Sequence, residues 1–147
     1  MSVVRHAAAT WSGNLATGSG TVSAISSEAF SSLPISWSAR TETSDGLTSP
    51  EELVAAAHAA CFSMALSAGL GRAGTPPESL DVTAAVTFDK LEPGWRIVSS
   101  ALTVRGRVPG LSSADFEAAA EAAKDGCPIS NALDPSIALS VEATLEE

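Results

Sequence analysis

Apolar residues recur at every second position in three segments of the second half of the chain. Over residues 81–89 this alternation places the apolar side chains on one face, which predicts a half-buried strand. A similar pattern spans residues 98–108 after a turn at residues 92–94, so the two segments predict an antiparallel hairpin. The same alternation over residues 137–145 predicts a closing strand.

A long segment without this alternation runs from Pro50 to Arg72 and predicts a helix. Ser49 is placed to cap its first turn, and Glu51 and Glu52 suit the positive end of the helix dipole. Apolar or small residues cover nearly its whole circumference, which is typical of a central, buried helix. We therefore expect a long helix, which carries Cys61, at the centre of the fold.

The remaining predicted elements are shorter. Residues 20–25 and 34–39, in a region rich in Gly, Ser and Thr, predict short strands. A second helix, capped by a serine, is expected over residues 112–124, and a short helix over residues 128–133. The order of elements predicts an α+β fold with mainly antiparallel sheets, in a single domain over residues 1–147.

The charge of the chain excludes some partners. It has 147 residues, with 17 acidic and 8 basic side chains. Such a surface repels phosphate backbones and anionic lipid, so nucleic acid and membrane surfaces are poor candidate partners. The start of the chain lacks the apolar core of a secretory signal, and we see no uninterrupted apolar run long enough for a membrane span. We expect a soluble, cytoplasmic protein.

Two cysteines are too few for a disulfide scaffold, so either they are reactive or they fill the core. Cys61 lies inside the long helix and needs a positive partner to become a thiolate, for which Arg40 is a candidate. Cys127 precedes Pro128 at a helix start, which favours a thiolate, although Asp125 acts against it. These residues alone do not rank the two thiols.

Two cysteine motifs resemble those of a known family. Residues 48–66 (TSPEELVAAAHAACFSMAL) and 126–133 (GCPISNAL) closely resemble the OsmC/Ohr family of thiol-dependent hydroperoxide reductases. The resemblance extends to residues 18–23, to Arg40 and to residues 89–90, so it covers essentially the whole chain. An Ala-His pair stands before Ala-Ala-Cys-Phe, where the Ohr branch tends to carry Gly-Tyr, and this favours the OsmC branch.

The resemblance implies a role for four residues. It makes Cys61 the peroxidatic thiol, Cys127 the resolving thiol, and Arg40 with Glu51 the pair that prepares thiolate and peroxide. Arginine is permanently charged and can be held by a carboxylate in a bidentate bond, so the roles are physically reasonable. Glu52 is the competing carboxylate, and the spacing of the family motif favours Glu51.

The implied reaction is the reduction of a hydroperoxide to an alcohol. Cys61 would become a sulfenic acid, Cys127 would condense with it to a disulfide, and an external dithiol, of the lipoyl type for example, would reopen the disulfide. No haem, flavin or metal is required.

The family also implies an intertwined homodimer. Glu51 and Cys61 are ten residues apart in one helix, about 15 Å, so a site that uses both is expected to be shared between two antiparallel copies of the helix.

Other interpretations remain open at this point. The chain could be a redox sensor or a metal-binding module without turnover, or both thiols could be inert core residues. A metal site would draw on His6, His58, Cys61 and Cys127, although their spacings match no zinc motif.

Two further expectations concern side chains around Cys61. His58 lies on the same helical face as Cys61 and either carries protons or makes a packing and hydrogen-bonding contact at an interface. Phe62, Met64 and residues 30–37 are expected to line an apolar substrate pocket.

Overall fold

The computed structural model describes residues 1–146, and the chain divides into two compact units, residues 1–53 and the residues from 54 onward. In chain order the elements are β1 (Ala7–Ser12), β2 (Ser19–Ala24), β3 (Leu33–Ile35), α1 (Trp37–Thr41), α2 (Pro50–Arg72), β4 (Ser79–Leu91), β5 (Gly94–Arg107), α3 (Ser113–Gly126), α4 (Pro128–Leu133) and β6 (Ala138–Leu145).

The first unit contains an antiparallel sheet in the order β1-β2-β3, followed by α1. All six residues of β1 are exposed. The predicted strand over residues 34–39 is wrong in its second half, because the chain enters α1 at Trp37. The hydroxyl of Ser36 accepts a hydrogen bond from the Ala39 N–H at 3.1 Å, and this N-cap starts the helix.

The second unit contains a sheet in the order β4-β5-β6. The predicted hairpin is confirmed and is longer than expected, since β4 and β5 pair from Ser79 opposite Arg107 to Leu91 opposite Gly94. The closing strand β6 pairs with β5 in parallel. Parallel neighbours require a long crossover, and α3 and α4 provide it. The fold is therefore α+β with mainly antiparallel sheets, as predicted.

The predicted helix from Pro50 to Arg72 is confirmed as α2. Its predicted cap is also present, because the Ser49 hydroxyl accepts a hydrogen bond from the Glu52 N–H at 3.1 Å. The expectation that α2 is buried all round is wrong for the single chain, since Met64 is 65% exposed.

One stripe of α2 is buried in the second unit. Its members recur every fourth residue, as one face of a helix requires, and they are His58, Phe62, Leu66 and Leu70. The three apolar members belong to a core cluster to which β5 and α3 also contribute. The buried apolar side chains that those two elements contribute to the cluster are Leu102, Val104, Phe116, Ala120 and Ala123.

By length and composition α2 could cross a membrane, since it has 23 residues and a mean hydropathy of 1.7 over its most apolar window. The expectation that the chain has no such run is therefore wrong. The core helix of a soluble protein meets the same criterion. The buried His58, which hydrogen-bonds to serines of β5 and α4, shows that one face of α2 is packed against the rest of the second unit.

Candidate active site

The second unit brings its two cysteines together. Cys61 lies in the middle of α2, and Cys127 lies between α3 and α4. Both are free thiols, and they lie close enough for each to shift the pKa of the other. Cys61 is partly exposed, whereas Cys127 is fully buried. The second unit therefore places the two thiols side by side, and Cys61 is the more accessible of the two residues.

The backbone around Cys127 explains its position. Cys127 is both the C-cap of α3 and the N-cap of α4, and its backbone is extended, with φ −71° and ψ 124°. Pro128 enforces this break, because a residue before proline is disfavoured in the helical region. The N–H groups in the first turn of a helix lack partners within the helix, so they are free to bond a sulfur. Here the nearby N–H groups of Ile129 and Ser130 act to lower the pKa of the Cys127 thiol, although the Cys127 side chain makes no capping hydrogen bond to α4.

The two thiols differ in acidity. Burial raises the pKa of the Cys61 thiol, the neighbouring Cys127 adds to the rise, and the Ile129 N–H opposes it. Burial also acts to raise the pKa of Cys127, yet that pKa is lowered, because polar hydrogens near its sulfur outweigh burial. They belong to the N–H and hydroxyl of Ser130, to the Cys61 thiol and to the Ile129 N–H. The surroundings of Cys127 at the start of α4 thus favour its thiolate.

His58 is fully buried beside the thiols and carries two hydrogen bonds. Its Nδ1 lies 2.7 Å from Ser100 Oγ, and its Nε2 lies 2.9 Å from Ser130 Oγ. Burial lowers the pKa of His58 from its ordinary value of 6.5, so the ring is neutral at neutral pH. The expected packing and hydrogen-bonding contact of His58 is present, but its place at an interface is wrong, because both partners lie in the same chain.

The first unit contains the other predicted site residues, Arg40 and Glu51. Arg40, in the last turn of α1, donates from Nε to Glu51 Oε2 at 3.1 Å and from Nη2 to Oε1 at 2.6 Å. This bidentate pair holds the guanidinium in one orientation. The central carbon of the Arg40 guanidinium lies 5.5 Å from the centroid of the Trp37 ring. Glu52 instead accepts a hydrogen bond from the Thr48 hydroxyl. Of the two carboxylates, Glu51 is thus the partner of Arg40.

The structure corrects two lesser expectations. Phe62 is a fully buried core residue and cannot line an open substrate pocket. A groove of about 390 Å³ in the second unit is lined mainly by alanines and glycines of α2 and α3, and by Pro128. A metal ion could bind His58 only if one of the hydrogen bonds from its ring nitrogens to a serine hydroxyl were broken. Residues 1–146 hold no cluster of three or more His, Cys, Asp or Glu side chains suited to a metal ion.

Sequence reasoning missed Ser100 and Ser130. The second of these was within reach, since it stands three residues after Cys127 in the quoted motif, at the first turn of a helix. Ser100 carries no such signal, because it lies in the middle of a long strand and meets His58 only through the packing of α2 on the sheet.

An α+β fold with one partly exposed and one buried thiol side by side has the features of a two-cysteine redox protein. Comparison with known proteins gives the family. The family model described as OsmC-like protein matches residues 43–142. The chain is 42% identical to Peroxiredoxin OsmC of Escherichia coli (strain K12) over 142 residues, which cover 97% of this chain and 98% of that protein. The chain therefore belongs to the OsmC family.

More distant relatives agree with this assignment. The organic hydroperoxide resistance protein OhrA of Bacillus subtilis (strain 168) is 32% identical over 97 residues, which cover 65% of this chain and 66% of that protein. Among solved structures, an organic hydroperoxide resistance protein from Elizabethkingia anophelis matches with a TM-score of 0.75 at 22% identity. The match covers 99% of this chain and 100% of that protein. OhrB of Bacillus subtilis matches with a TM-score of 0.69 at 23% identity, over 96% and 98% of the two chains. These two structures share the fold.

Proposed function

We propose that the protein is a cysteine-based peroxidase that reduces organic hydroperoxides to alcohols. The observation that supports this most strongly is the proximity of a partly exposed and a buried thiol, in a chain 42% identical to a peroxiredoxin over nearly its full length. A peroxide must reach the sulfur that attacks it, so Cys61 is the peroxidatic thiol. Cys127, buried beside it, is the resolving thiol.

The reaction has three steps. The Cys61 thiolate attacks a peroxide oxygen, the O–O bond breaks, and the alkoxide takes a proton to become an alcohol, which leaves Cys61 as a sulfenic acid. The Cys127 thiolate then attacks the Cys61 sulfur, and the hydroxide that leaves takes a proton to become water. An external dithiol reduces the resulting disulfide by exchange. A lipoyl-type dithiol is our candidate for this reductant.

Arg40 and Glu51 are proposed to prepare the attack. The pKa of Cys61 is raised by burial and by Cys127, so a cation is required to make Cys61 a thiolate at neutral pH. Arg40 is permanently charged and is oriented by its bidentate bond to Glu51. The guanidinium can stabilise the Cys61 thiolate and donate to a peroxide oxygen.

We propose that this site forms across a homodimer. Glu51 and Cys61 are ten residues apart in α2, so their backbones are about 15 Å apart. A two-fold axis that packs α2 antiparallel against its copy would bring Glu51 of one chain close to Cys61 of the other. The exposed apolar side of α2, which includes Met64 at 65% exposure, supports such a contact, because an apolar helix face requires cover.

The peroxidase proposal is tested with two cysteine variants. Cys61→Ser should abolish peroxide consumption with dithiothreitol or a lipoyl dithiol, because the attacking sulfur is lost. Cys127→Ser should still react once and leave a sulfenic acid on Cys61 that mass spectrometry detects after trapping. A sulfenic acid on Cys127 in the Cys61→Ser variant would reverse the assignment. A wild-type protein that is oxidised once and does not turn over with a dithiol would be a redox sensor.

The shared site is tested by mixing inactive Cys61→Ser chains with inactive Glu51→Gln chains and refolding them together. A heterodimer then has one site with both lesions and one with neither. Because about half of the dimers in a statistical mixture are heterodimers, about a quarter of the wild-type activity should return. No recovery in confirmed heterodimers, or full activity in a sedimenting monomer, would exclude the shared site.

We further propose that organic peroxides are preferred over hydrogen peroxide and that the protein acts in the cytoplasm. Apolar contacts with an organic tail contribute about 1–3 kcal/mol per well-placed group. Equal kcat/KM for cumene hydroperoxide and hydrogen peroxide would contradict this preference.

The cytoplasmic location follows from the need to reduce the disulfide after each turnover, which requires a reducing compartment.

A further inference from the structure

A second side chain besides Glu51 contacts the guanidinium of Arg40. The central carbon of that group lies over the ring of Trp37, 5.5 Å from the ring centroid. This distance suits a cation–π contact, in which the negative face of an aromatic ring attracts a cation. Trp37 and Arg40 are three residues apart in α1, so they lie next to each other on the surface of the helix. Both residues are half-buried.

The two contacts restrain Arg40 in different ways. Glu51 binds one edge of the planar guanidinium, through Nε at 3.1 Å and through Nη2 at 2.6 Å. An arginine side chain has several rotatable bonds, so the bidentate pair can still swing as a unit about the bonds of both side chains. The Trp37 ring lies against the carbon of the guanidinium and opposes that motion. Together the carboxylate and the ring hold the cation in one place.

The helix that carries Arg40 also depends on side-chain contacts. α1 has five residues, and a helix of this length is unstable by itself in water. The Ser36 hydroxyl caps its first turn, and the Thr41 hydroxyl donates to the Trp37 carbonyl at 3.1 Å. The contact between Trp37 and Arg40 adds a further link across the same turn. The ring therefore acts on the helix as well as on the guanidinium.

We propose that Trp37 is a positioning residue that, together with Glu51, holds the Arg40 guanidinium in the orientation that the reaction requires. This role rests on the proposed function, in which Arg40 stabilises the Cys61 thiolate and donates to the peroxide. A cation that must meet both a sulfur and a peroxide oxygen loses effect when it is displaced, because a misplacement of about 1 Å can cost about a hundredfold in rate. Trp37 acts only through Arg40 and does not itself touch the reacting atoms.

A purely structural Trp37 predicts a different result. If the ring only fills space beside α1, any apolar side chain should replace it at some cost in stability, and the acidity of Cys61 should not change. If the ring attracts the cation, an aromatic replacement should serve better than an aliphatic one. The pH dependence of kcat/KM, which reports the ionisation of the free enzyme, separates the two cases.

Two variants of Trp37 test the role. Trp37→Phe retains an aromatic face, and Trp37→Leu retains only apolar bulk. In Trp37→Leu, kcat/KM for cumene hydroperoxide should fall about twofold to thirtyfold, which corresponds to the ~0.5–2 kcal/mol of a cation–π contact. The rise of kcat/KM with pH should also move to higher pH, because a less firmly held Arg40 stabilises the thiolate less. Trp37→Phe should recover most of both properties.

Trp11→Leu is the matched control. Trp11 lies in the same unit, is 41% exposed, and donates from Nε1 to the Gly13 carbonyl just after its own strand. Its replacement should lower stability and leave the pH profile of kcat/KM in place. The proposal is overturned if Trp37→Leu matches wild type, if Trp37→Phe loses as much as Trp37→Leu, or if Trp11→Leu shows the same shift.

A second measurement does not depend on peroxide chemistry. NMR of the arginine Nε–H groups in isotope-labelled protein reports how fast each group exchanges its hydrogen with water, and Arg40→Lys assigns the Arg40 signal by its loss. Because this N–H donates to Glu51, it should exchange slowly in wild type. The exchange should become at least about twofold faster in Trp37→Leu and stay slow in Trp11→Leu.

The two measurements distinguish the proposed function from the role of Trp37. If the wild-type protein does not reduce peroxides but the exchange accelerates in Trp37→Leu, the proposed function fails and the conclusion that Trp37 holds Arg40 stands. Unchanged exchange in Trp37→Leu contradicts that conclusion whatever the peroxidase result.

Discussion

Two adjacent glutamates in the first turn of α2 allow the Arg40 ion pair to be tested against a matched control. Glu51 accepts two hydrogen bonds from Arg40, whereas the exposed Glu52 accepts one from the Thr48 hydroxyl. Glu51→Gln and Glu52→Gln each remove one negative charge at the same helix end. Both should therefore lose a similar helix-dipole contribution of about 0.3–1 kcal/mol.

The difference between the free energies of unfolding of the two variants measures the contribution of the ion pair to stability. Breaking a fully buried pair costs about 3–5 kcal/mol. The Glu51 side chain is 9% exposed, but the Arg40 side chain is 28% exposed, so water can solvate the guanidinium once it loses its partner. We therefore expect Glu51→Gln to lower the free energy of unfolding by about 1.5–3 kcal/mol more than Glu52→Gln, the range for hydrogen bonds to charged groups.

The assay is urea unfolding followed by tryptophan fluorescence, with both variants at the same protein concentration because a dimer makes stability depend on concentration. Trp37 lies against Arg40, so its emission also reports a displaced guanidinium in the folded state. Steady-state peroxide reduction should fall in Glu51→Gln and stay close to wild type in Glu52→Gln. Equal stability and equal activity in the two variants would refute the argument that Glu51 holds Arg40 for the reaction.

Three further predictions concern the core. A Cβ added at Gly106 would lie 2.4 Å from Phe116 Cζ, so Gly106→Ala should destabilise the protein by about 1–3 kcal/mol in urea unfolding. Gly126→Ala, where a Cβ meets nothing within 4 Å, is its control and should be neutral. Phe62→Ala should cost about 3–5 kcal/mol and leave the preference among peroxides unchanged, since Phe62 belongs to the core. Because the pKa of His58 is lower in the folded chain than in the unfolded chain, acid protonates the unfolded chain first and favours unfolding. The free energy of unfolding should therefore fall by up to about 1.4 kcal/mol per pH unit as the pH drops below 6.5. In His58→Gln this slope should disappear, and a slope retained there would assign it to other groups.

The sequence by itself determined most of the local structure. The alternation in β4 and β5, the cap at Ser49 and the break at Pro128 all act through neighbours in the chain, and each is present as expected. The segment after β3 was misjudged, because the single hydroxyl of Ser36 turns the chain into α1 where the residue types also suit a strand.

Only the tertiary structure decided how the thiols differ and what surrounds them. Cys61 and Cys127 are 66 positions apart, and their contact depends on the packing of α2 beside the start of α4. The acidity of each thiol depends on burial and on nearby N–H groups, and residue type alone predicts neither. The bonds of His58 to Ser100 and Ser130 span 42 and 72 positions. Hydrogen bonds at such separations follow from where whole elements pack, so local patterns cannot predict them.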